Sequence, residues 1–324
     1  MPSNLIRLGN KCNQNCIFCT VALDNERELS NEEVKKKIEF LSEKGADILT
    51  FTGGEPTIRK DLPDLIRFAK GKSFRRIELQ TNGVLMSDKK LACEIARAGV
   101  DEVLVSLHSH RKRISERLTN VPGTFDKTLK GIENLLELDK RVCISHVINS
   151  LNYSDLTNFV KFVKNRFPSL SSFYFGFVRP NGNANFNRWI VPKISDIDFR
   201  IYGVFSYCRE HKIPFSVEGI PLCYMQGYET HSSEVHRILS EPVFYMGSGD
   251  TQYDVHKFVI KNFRAKGEQC EFCFVKDICP GLWKEYADIY GTEELFPVFI
   301  SKEGITKDVK ERWVKWKKRQ SQKS

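Results

Sequence analysis

Apolar runs alternate with amphipathic stretches from the first residues to about residue 210, at a period of about 30 residues, the length of one strand–helix unit. "NLIRLG" reads as a first strand. Ser30 and Glu33 have the spacing of a capping box, and Val34, Ile38 and Leu41 then share one face of a helix that ends at Gly45. "DILTFTGG" is the second strand, with a helix near 61–70. "RIELQTNG" is the third, with a helix over 88–98 that aligns Leu91, Ile95 and Ala98 before Gly99 stops it. "DEVLVSLHS", "RVCISHVIN" and "SFYFGFV" are the next three strands. Their helices carry Phe125, Leu129, Ile132 and Leu136; Leu156, Val160 and Val163; and Ile197, Ile201, Val204 and Cys208.

Six such units predict an α/β fold, built either as an open doubly wound sheet or as a partial (β/α)6 TIM-like barrel. In both, function belongs beyond the carboxyl ends of the strands. The chemistry-bearing segments fall there: "CNQNCIFC" follows strand one, "GGEP" strand two, "TNG" strand three, "SLHS" strand four, "NSLN" strand five and "RPNG" strand six. They converge on one rim.

Composition narrows the class. No apolar run approaches the roughly 20 residues that a bilayer span requires, and no export signal opens the chain, so a cytoplasmic protein without membrane contact is expected. The net charge of +9 is partly concentrated in "KDVKERWVKWKKRQSQKS", which reads as a solvated helix end rather than a nucleic-acid footprint. Ten cysteines in such a chain point to metal or redox chemistry instead of disulfides.

Cys12, Cys16 and Cys19 supply three thiols in eight residues, with no fourth nearby. Structural zinc takes four protein ligands, whereas three thiolates on a [4Fe–4S] cube leave one iron open to substrate or cofactor. A zinc site completed from elsewhere and plain buried cysteines are the alternatives. Cys12-x3-Cys16-x2-Cys19 with Phe18 before the last cysteine, followed by Gly53-Gly54-Glu55-Pro56 after the second strand, resembles the radical S-adenosylmethionine (radical SAM) superfamily over roughly residues 4–215. The resemblance implies that SAM chelates the open iron and that one electron cleaves it to a 5′-deoxyadenosyl radical, which abstracts hydrogen from substrate. It further implies an electron donor such as flavodoxin or ferredoxin.

On that resemblance, Phe18 lies against the adenine, Gly53 and Gly54 let backbone carbonyls approach the SAM ammonium, and Glu55 either accepts from that ammonium or braces its loop. Ser106 is expected at the ribose, Asn149 also at the ribose and Arg179 at the methionine carboxylate, while Thr81 and Asn82 shape a turn nearby. Loop capping and surface charge are the plain readings of Asn149 and Arg179. His108, His110 and Tyr224 lie on rim segments without an assigned role.

Beyond the barrel, Cys223 in "EGIPLCYM" and Cys270, Cys273 and Cys279 in "CEFCFVKDIC" make a four-thiol set, and none follows Cys279. This resembles the auxiliary-cluster extensions of SPASM and twitch radical SAM enzymes and implies a second [4Fe–4S] cluster; a tetrathiolate zinc site is the competitor. The expected domains are a core over 1–215, an auxiliary extension over 216–300 and a basic tail over 301–324. Cys93, Cys143 and Cys208 read as packing. The substrate reading is a peptide or protein side chain, with a separate peptide-recognition protein as helper because nothing precedes the first strand. A small-molecule or nucleotide substrate is the alternative, and a non-catalytic iron–sulfur sensor a remote third.

Overall fold

The computed structural model describes residues 3–22, 26–240, 242–249 and 252–321. Each expected strand is present: β1 (Asn4–Arg7), β2 (Ile48–Thr52), β3 (Arg76–Thr81), β4 (Glu102–Ser106), β5 (Arg141–Ile148) and β6 (Ser172–Phe177). Between them run α1 (Asn31–Glu43), α2 (Leu62–Lys70), α3 (Lys89–Ala98), α4 (Lys112–Thr119), α5 (Thr124–Glu137) and α6 (Leu156–Arg166), and after β6 come α7 (Asn183–Phe186) and α8 (Ile194–Glu210). The local signals act as read. The Ser30 side chain accepts from the Glu33 amide while Glu33 accepts from the Ser30 amide, and Gly99 ends α3 at φ 110°.

The strands pair in sequence order and in parallel, so each crossover returns on the same hand and the sheet curls into a partial barrel. Alternation sorts the two faces. Leu49, Phe51, Ile77, Leu79, Val103, Val105, Ile144, Phe173 and Phe175 have no solvent exposure and are part of the apolar core that includes the inner faces of the helices. The intervening positions are polar: Thr50 donates to Glu78 and Thr52 to Gln80, while Arg76 spans Glu78 and Glu102. The concave face of this barrel is therefore polar and its convex face carries the core.

The sheet continues past the six expected strands. β7 (Phe215–Glu218) extends it beyond β6, and β8 (Phe244–Met246) joins the opposite edge in parallel with β1, Leu5 opposite Tyr245 and Ile6 opposite Met246. β9 (Gln252–Tyr253) pairs antiparallel with β8. At two to four residues these strands are too short to show a period of their own. As a result, residues 216–300 are threaded back onto the barrel, and the boundary expected at 215 falls inside β7. The extension also holds α9 (Ser233–Ile238), α10 (Val255–Phe263), the small ladder of β10 (Arg264–Ala265) with β11 (Leu282–Trp283), and α11 (Lys284–Tyr290). The basic tail is α12 (Lys302–Ser321), with residues 322–324 outside the described residues. The segment "HSHRKRISERLTNVPGTF" after β4 holds α4, whose Ile114 and Leu118 stand one turn apart among arginines and lysines. No helix among the described residues is long and apolar enough to cross a membrane.

Candidate functional site

A cavity of about 440 Å³ opens at the carboxyl ends of the strands. One side is the cysteine loop, with Cys12, Cys16, Phe18 and Cys19. The floor is made by Thr52, Gln80, Ser106, Ser145 and Tyr174, each from a different strand, and the far wall by Arg179, Glu218 and Trp283. The rim predicted from the sequence thus exists, and it encloses space.

The loop itself has no regular structure, so its backbone must find partners elsewhere. Asn15 and Ile17 donate to the Thr119 and Leu118 carbonyls at the end of α4, each at 3.0 Å. Asn183 donates through its side chain to the Cys16 carbonyl and through its backbone to Cys19, and the Asn187 amide reaches the Ile17 carbonyl. Glu28 accepts from the Asn10 and Lys11 amides, and Asn82 donates to Asn13. Burial raises the Cys12 thiol pKa and, with repulsion from the neighbouring Cys19 and Cys12, pushes that of Cys16 well up. Thiols at Cys12 and Cys16 are thus costly to ionise alone and favourable as thiolates around a cationic iron centre. Among the described residues no three His, Cys, Asp or Glu side chains close on the point a single ion would occupy. Open space beside the three sulfurs lies in the cavity.

Gly53 and Gly54 line that cavity, yet their lack of side chains serves the protein first. Gly53 has φ 148°, and a Cβ there would stand 2.7 Å from the Gly9 carbonyl oxygen; one on Gly54 would collide with the carbonyls of Asn10 and Lys11. The Gly54 amide donates to Gly9 and the Glu55 amide to Lys11. The glycines thus clamp the root of the cysteine loop against β2. Glu55 is buried and absent from the cavity wall: its carboxylate accepts from the Thr57 amide and hydroxyl, the Thr81 hydroxyl and the Asn82 amide. Burial raises its pKa against these four donors. The bracing role is the one this geometry supports.

Asn149 is likewise kept from the cavity. Its side chain donates to Val147 and accepts from Leu151, tying the turn after β5, and it has no solvent exposure. Phe18 and Ser106 do line the cavity. Phe18 meets His108 edge to face at 4.9 Å; the His108 Nδ1 accepts the Val147 amide, which leaves its proton on Nε2, and burial lowers its pKa to about 4. Arg179 reaches the wall clamped by the extension, donating to Glu285 at 2.6 Å and lying 4.5 Å from the Trp283 ring. Gln80, Ser145, Tyr174, Glu218 and Trp283 were not singled out from the sequence. Glu218 accepts from Tyr174 and from Arg237, whose charge helps hold its pKa down to about 2 against burial. The concave parity of β3, β5 and β6 was the available signal for the first three; nothing local marks Glu218, on a strand too short to show a period, or Trp283.

The second set of thiols shares one pocket, which Cys223, Cys270, Cys273 and Cys279 line with Lys266, Lys276 and Phe296. The Leu222 amide donates to the Cys279 sulfur and the Val298 amide to the Cys273 sulfur, each at 3.4 Å. Burial pushes the Cys223 thiol up to about 12 and raises those of Cys270 and Cys279, while backbone groups of Phe296, Gly267 and Gly281 oppose it at these three thiols. Cys143 and Cys208 are buried apart from both sites, as packing residues, and Cys93 is partly buried in α3.

Residues 6–163 match the family model of the Radical SAM superfamily. Among curated proteins the chain is similar to Fe-coproporphyrin III synthase of Methanosarcina barkeri, 36% identical over 158 residues that cover 48% of this chain and 39% of that protein. It is also similar to a probable GTP 3′,8-cyclase of Sulfurisphaera tokodaii, 35% identical over 160 residues, 48% of this chain and 50% of the other. The matched stretch therefore spans about half the length of these relatives, or less. Among solved structures, Streptococcus suis SuiB bound to S-adenosylmethionine aligns over 92% of this chain and 76% of its own, with TM-score 0.65 and 18% identity. Native anSMEcpe with bound AdoMet and Kp18Cys peptide aligns over 95% and 96%, with TM-score 0.66 and 17% identity. These two show a shared fold.

Proposed function

We propose, from the match of residues 6–163 to the Radical SAM superfamily, that the chain is an enzyme that binds SAM beside an iron–sulfur cluster on Cys12, Cys16 and Cys19 and removes hydrogen from a peptide or protein side chain. The observation that carries this reading is the convergence of three thiols, an aromatic and polar residues from the ends of five strands on one cavity. When bound, the cluster and SAM supply a 5′-deoxyadenosyl radical. The chain's own residues hold, orient and exclude water: Phe18 offers a face to the adenine, Ser106 a hydroxyl to the ribose, and Arg179 a cation held in place by Glu285. Glu55 acts through the loop it braces.

The four C-terminal thiols hold a second [4Fe–4S] cluster in this reading, their charge offset by N–H groups at the sulfurs and by Lys266. Zinc is the alternative occupant. The likeness to SuiB and anSMEcpe, whose structures include bound peptides, runs through this extension, and that supports a peptide substrate. A second reading, a small-molecule or nucleotide substrate, is supported by the names of the curated relatives, though their likeness stops within the barrel.

The test is anaerobic reconstitution, reduction with dithionite and measurement of 5′-deoxyadenosine from SAM. A yield above that of the Cys12, Cys16 and Cys19 alanine variant is expected; none at all removes the reading. Peptides encoded beside the gene, added to the same assay and weighed by mass spectrometry, separate the two substrate classes.

A further inference from the structure

The cysteine loop has two sides. One lines the cavity and belongs to the ligand; the other is covered by the end of α4 and by residues 183–190, bonded to it through Leu118, Thr119, Asn183 and Asn187. Immediately outward of that cover lie two large exposed rings, Phe186 at 74% and Trp189 at 49% exposure. The Arg117 guanidinium stands 5.1 Å from the centre of the Trp189 ring, Arg113 lies one turn before it on the same face of α4, and Arg188 precedes Trp189 in the chain. The neighbouring Arg111 and Lys112 are spent on Asp155 and Asp126. Among the described residues Arg113, Arg117 and Arg188 make no ion pair with a carboxylate, and Arg188 meets only the neutral side chain of Asn185.

Resting on the function proposed above, in which each turnover consumes one electron, we propose that Arg113, Arg117, Phe186, Arg188 and Trp189 form the docking face for an acidic one-electron carrier protein. Exposed aromatics interleaved with arginines have the composition of an interface centre, and unpaired arginines fit and steer a partner of opposite charge. Position selects the partner further. None of these five residues lines the cavity, so a substrate seated on them would still be outside the barrel. An electron needs no opening: from Trp189 it passes to Asn187, across the hydrogen bond to the Ile17 carbonyl, and so to the residue beside Cys16. The carrier is oxidised by one electron, and that electron is consumed in breaking the sulfonium bond of SAM to methionine and the 5′-deoxyadenosyl radical.

The experiment compares two reductants on one enzyme. Reconstituted full chain and the variants Arg117→Glu/Arg188→Glu and Phe186→Ala/Trp189→Ala are assayed for 5′-deoxyadenosine, once with dithionite and once with purified flavodoxin, its reductase and NADPH. The dithionite rate stays at the parent level in both variants. The flavodoxin-driven rate falls about tenfold in the charge-reversed variant, with a higher KM for flavodoxin and a weaker salt dependence. Binding of flavodoxin followed by calorimetry, without turnover, weakens in step. Equal losses with both reductants would mean that the patch supports the loop or a substrate, and would overturn the docking proposal; so would a flavodoxin rate that does not change, or a parent enzyme active with dithionite and silent with flavodoxin. A parent enzyme silent with dithionite sinks the underlying function instead, while the calorimetric arm still reads the surface.

Discussion

The loop at residues 12–19 and the quartet of Cys223, Cys270, Cys273 and Cys279 use the same ligand atom in opposite ways. In the loop three thiols lie within eight residues, Cys12 is exposed, and the remaining side faces a cavity of about 440 Å³. In the quartet the thiols come from segments almost fifty residues apart, and they share a pocket with backbone amides at the sulfurs and with no strand-end polar groups. The loop is held from outside, by α4, Asn183, Asn187 and Glu28, so that its fourth direction stays open. In the quartet a fourth thiol lines the same pocket. In the proposed reading the contrast is one between a site that admits a ligand and a site completed by its own thiols.

Alanine at Cys12, Cys16 and Cys19 together tests the contrast most severely. It should abolish 5′-deoxyadenosine formation and remove about four of about eight irons, at four per cube, as read by iron analysis. Alanine at Cys270, Cys273 and Cys279 should remove the other half, lower the unfolding temperature of the extension, and leave cleavage of SAM measurable; loss of cleavage here would erase the distinction. If metal analysis finds zinc in place of the second set of irons, the quartet is a staple and not a redox centre.

Gly54→Ala should cost about 2–4 kcal/mol, because its Cβ has to displace the Asn10 and Lys11 carbonyls, and it should lower iron content only at the loop. A milder probe is pH. Burial lowers His108 from 6.5 to about 4 and His146 to about 3, so both are neutral when folded. Stability from each is present above pH 6.5 and is lost as pH falls through its folded pKa, about 3 kcal/mol for His108 alone. The extension shares in this loss, because burial also lowers its His256 to about 3, and His108→Gln should flatten the curve between pH 6.5 and 4 in chemical denaturation. The smallest effect is expected from Ser106→Ala: one hydroxyl on the cavity floor, about 1 kcal/mol, read as about fivefold weaker SAM binding.

Much of this molecule could be read before its coordinates. The six strands, the capping box at Ser30, the stop at Gly99 and the rim of motifs after strand ends are local or periodic features, and the structure contains each of them. The short edge strands β7, β8 and β9 could not be read, because they lie outside the regular strand–helix repeat and two to four residues carry little alternation of their own. α4 was hidden by its density of arginine and lysine, which masks two apolar positions one turn apart.

At the site the division follows the same line. The thiol spacing and the glycine pair are legible because the ligands of one loop are neighbours in the chain. Whether Glu55 faces a cofactor or four backbone and hydroxyl donors depends on where Thr81 and Asn82 arrive, and whether Gly53 and Gly54 make room for a ligand or for Gly9 and Lys11 depends on how β1 and β2 lie together. Arg179 owes its posture to Glu285 and Trp283, more than a hundred residues further on. A chain writes its short-range preferences in its own order, so strands, caps and the cysteine loop follow from composition and period. Contacts between distant segments are set by the path of the folded backbone, and there the open cavity, the bracing carboxylate and the convergence of the last four thiols came into being.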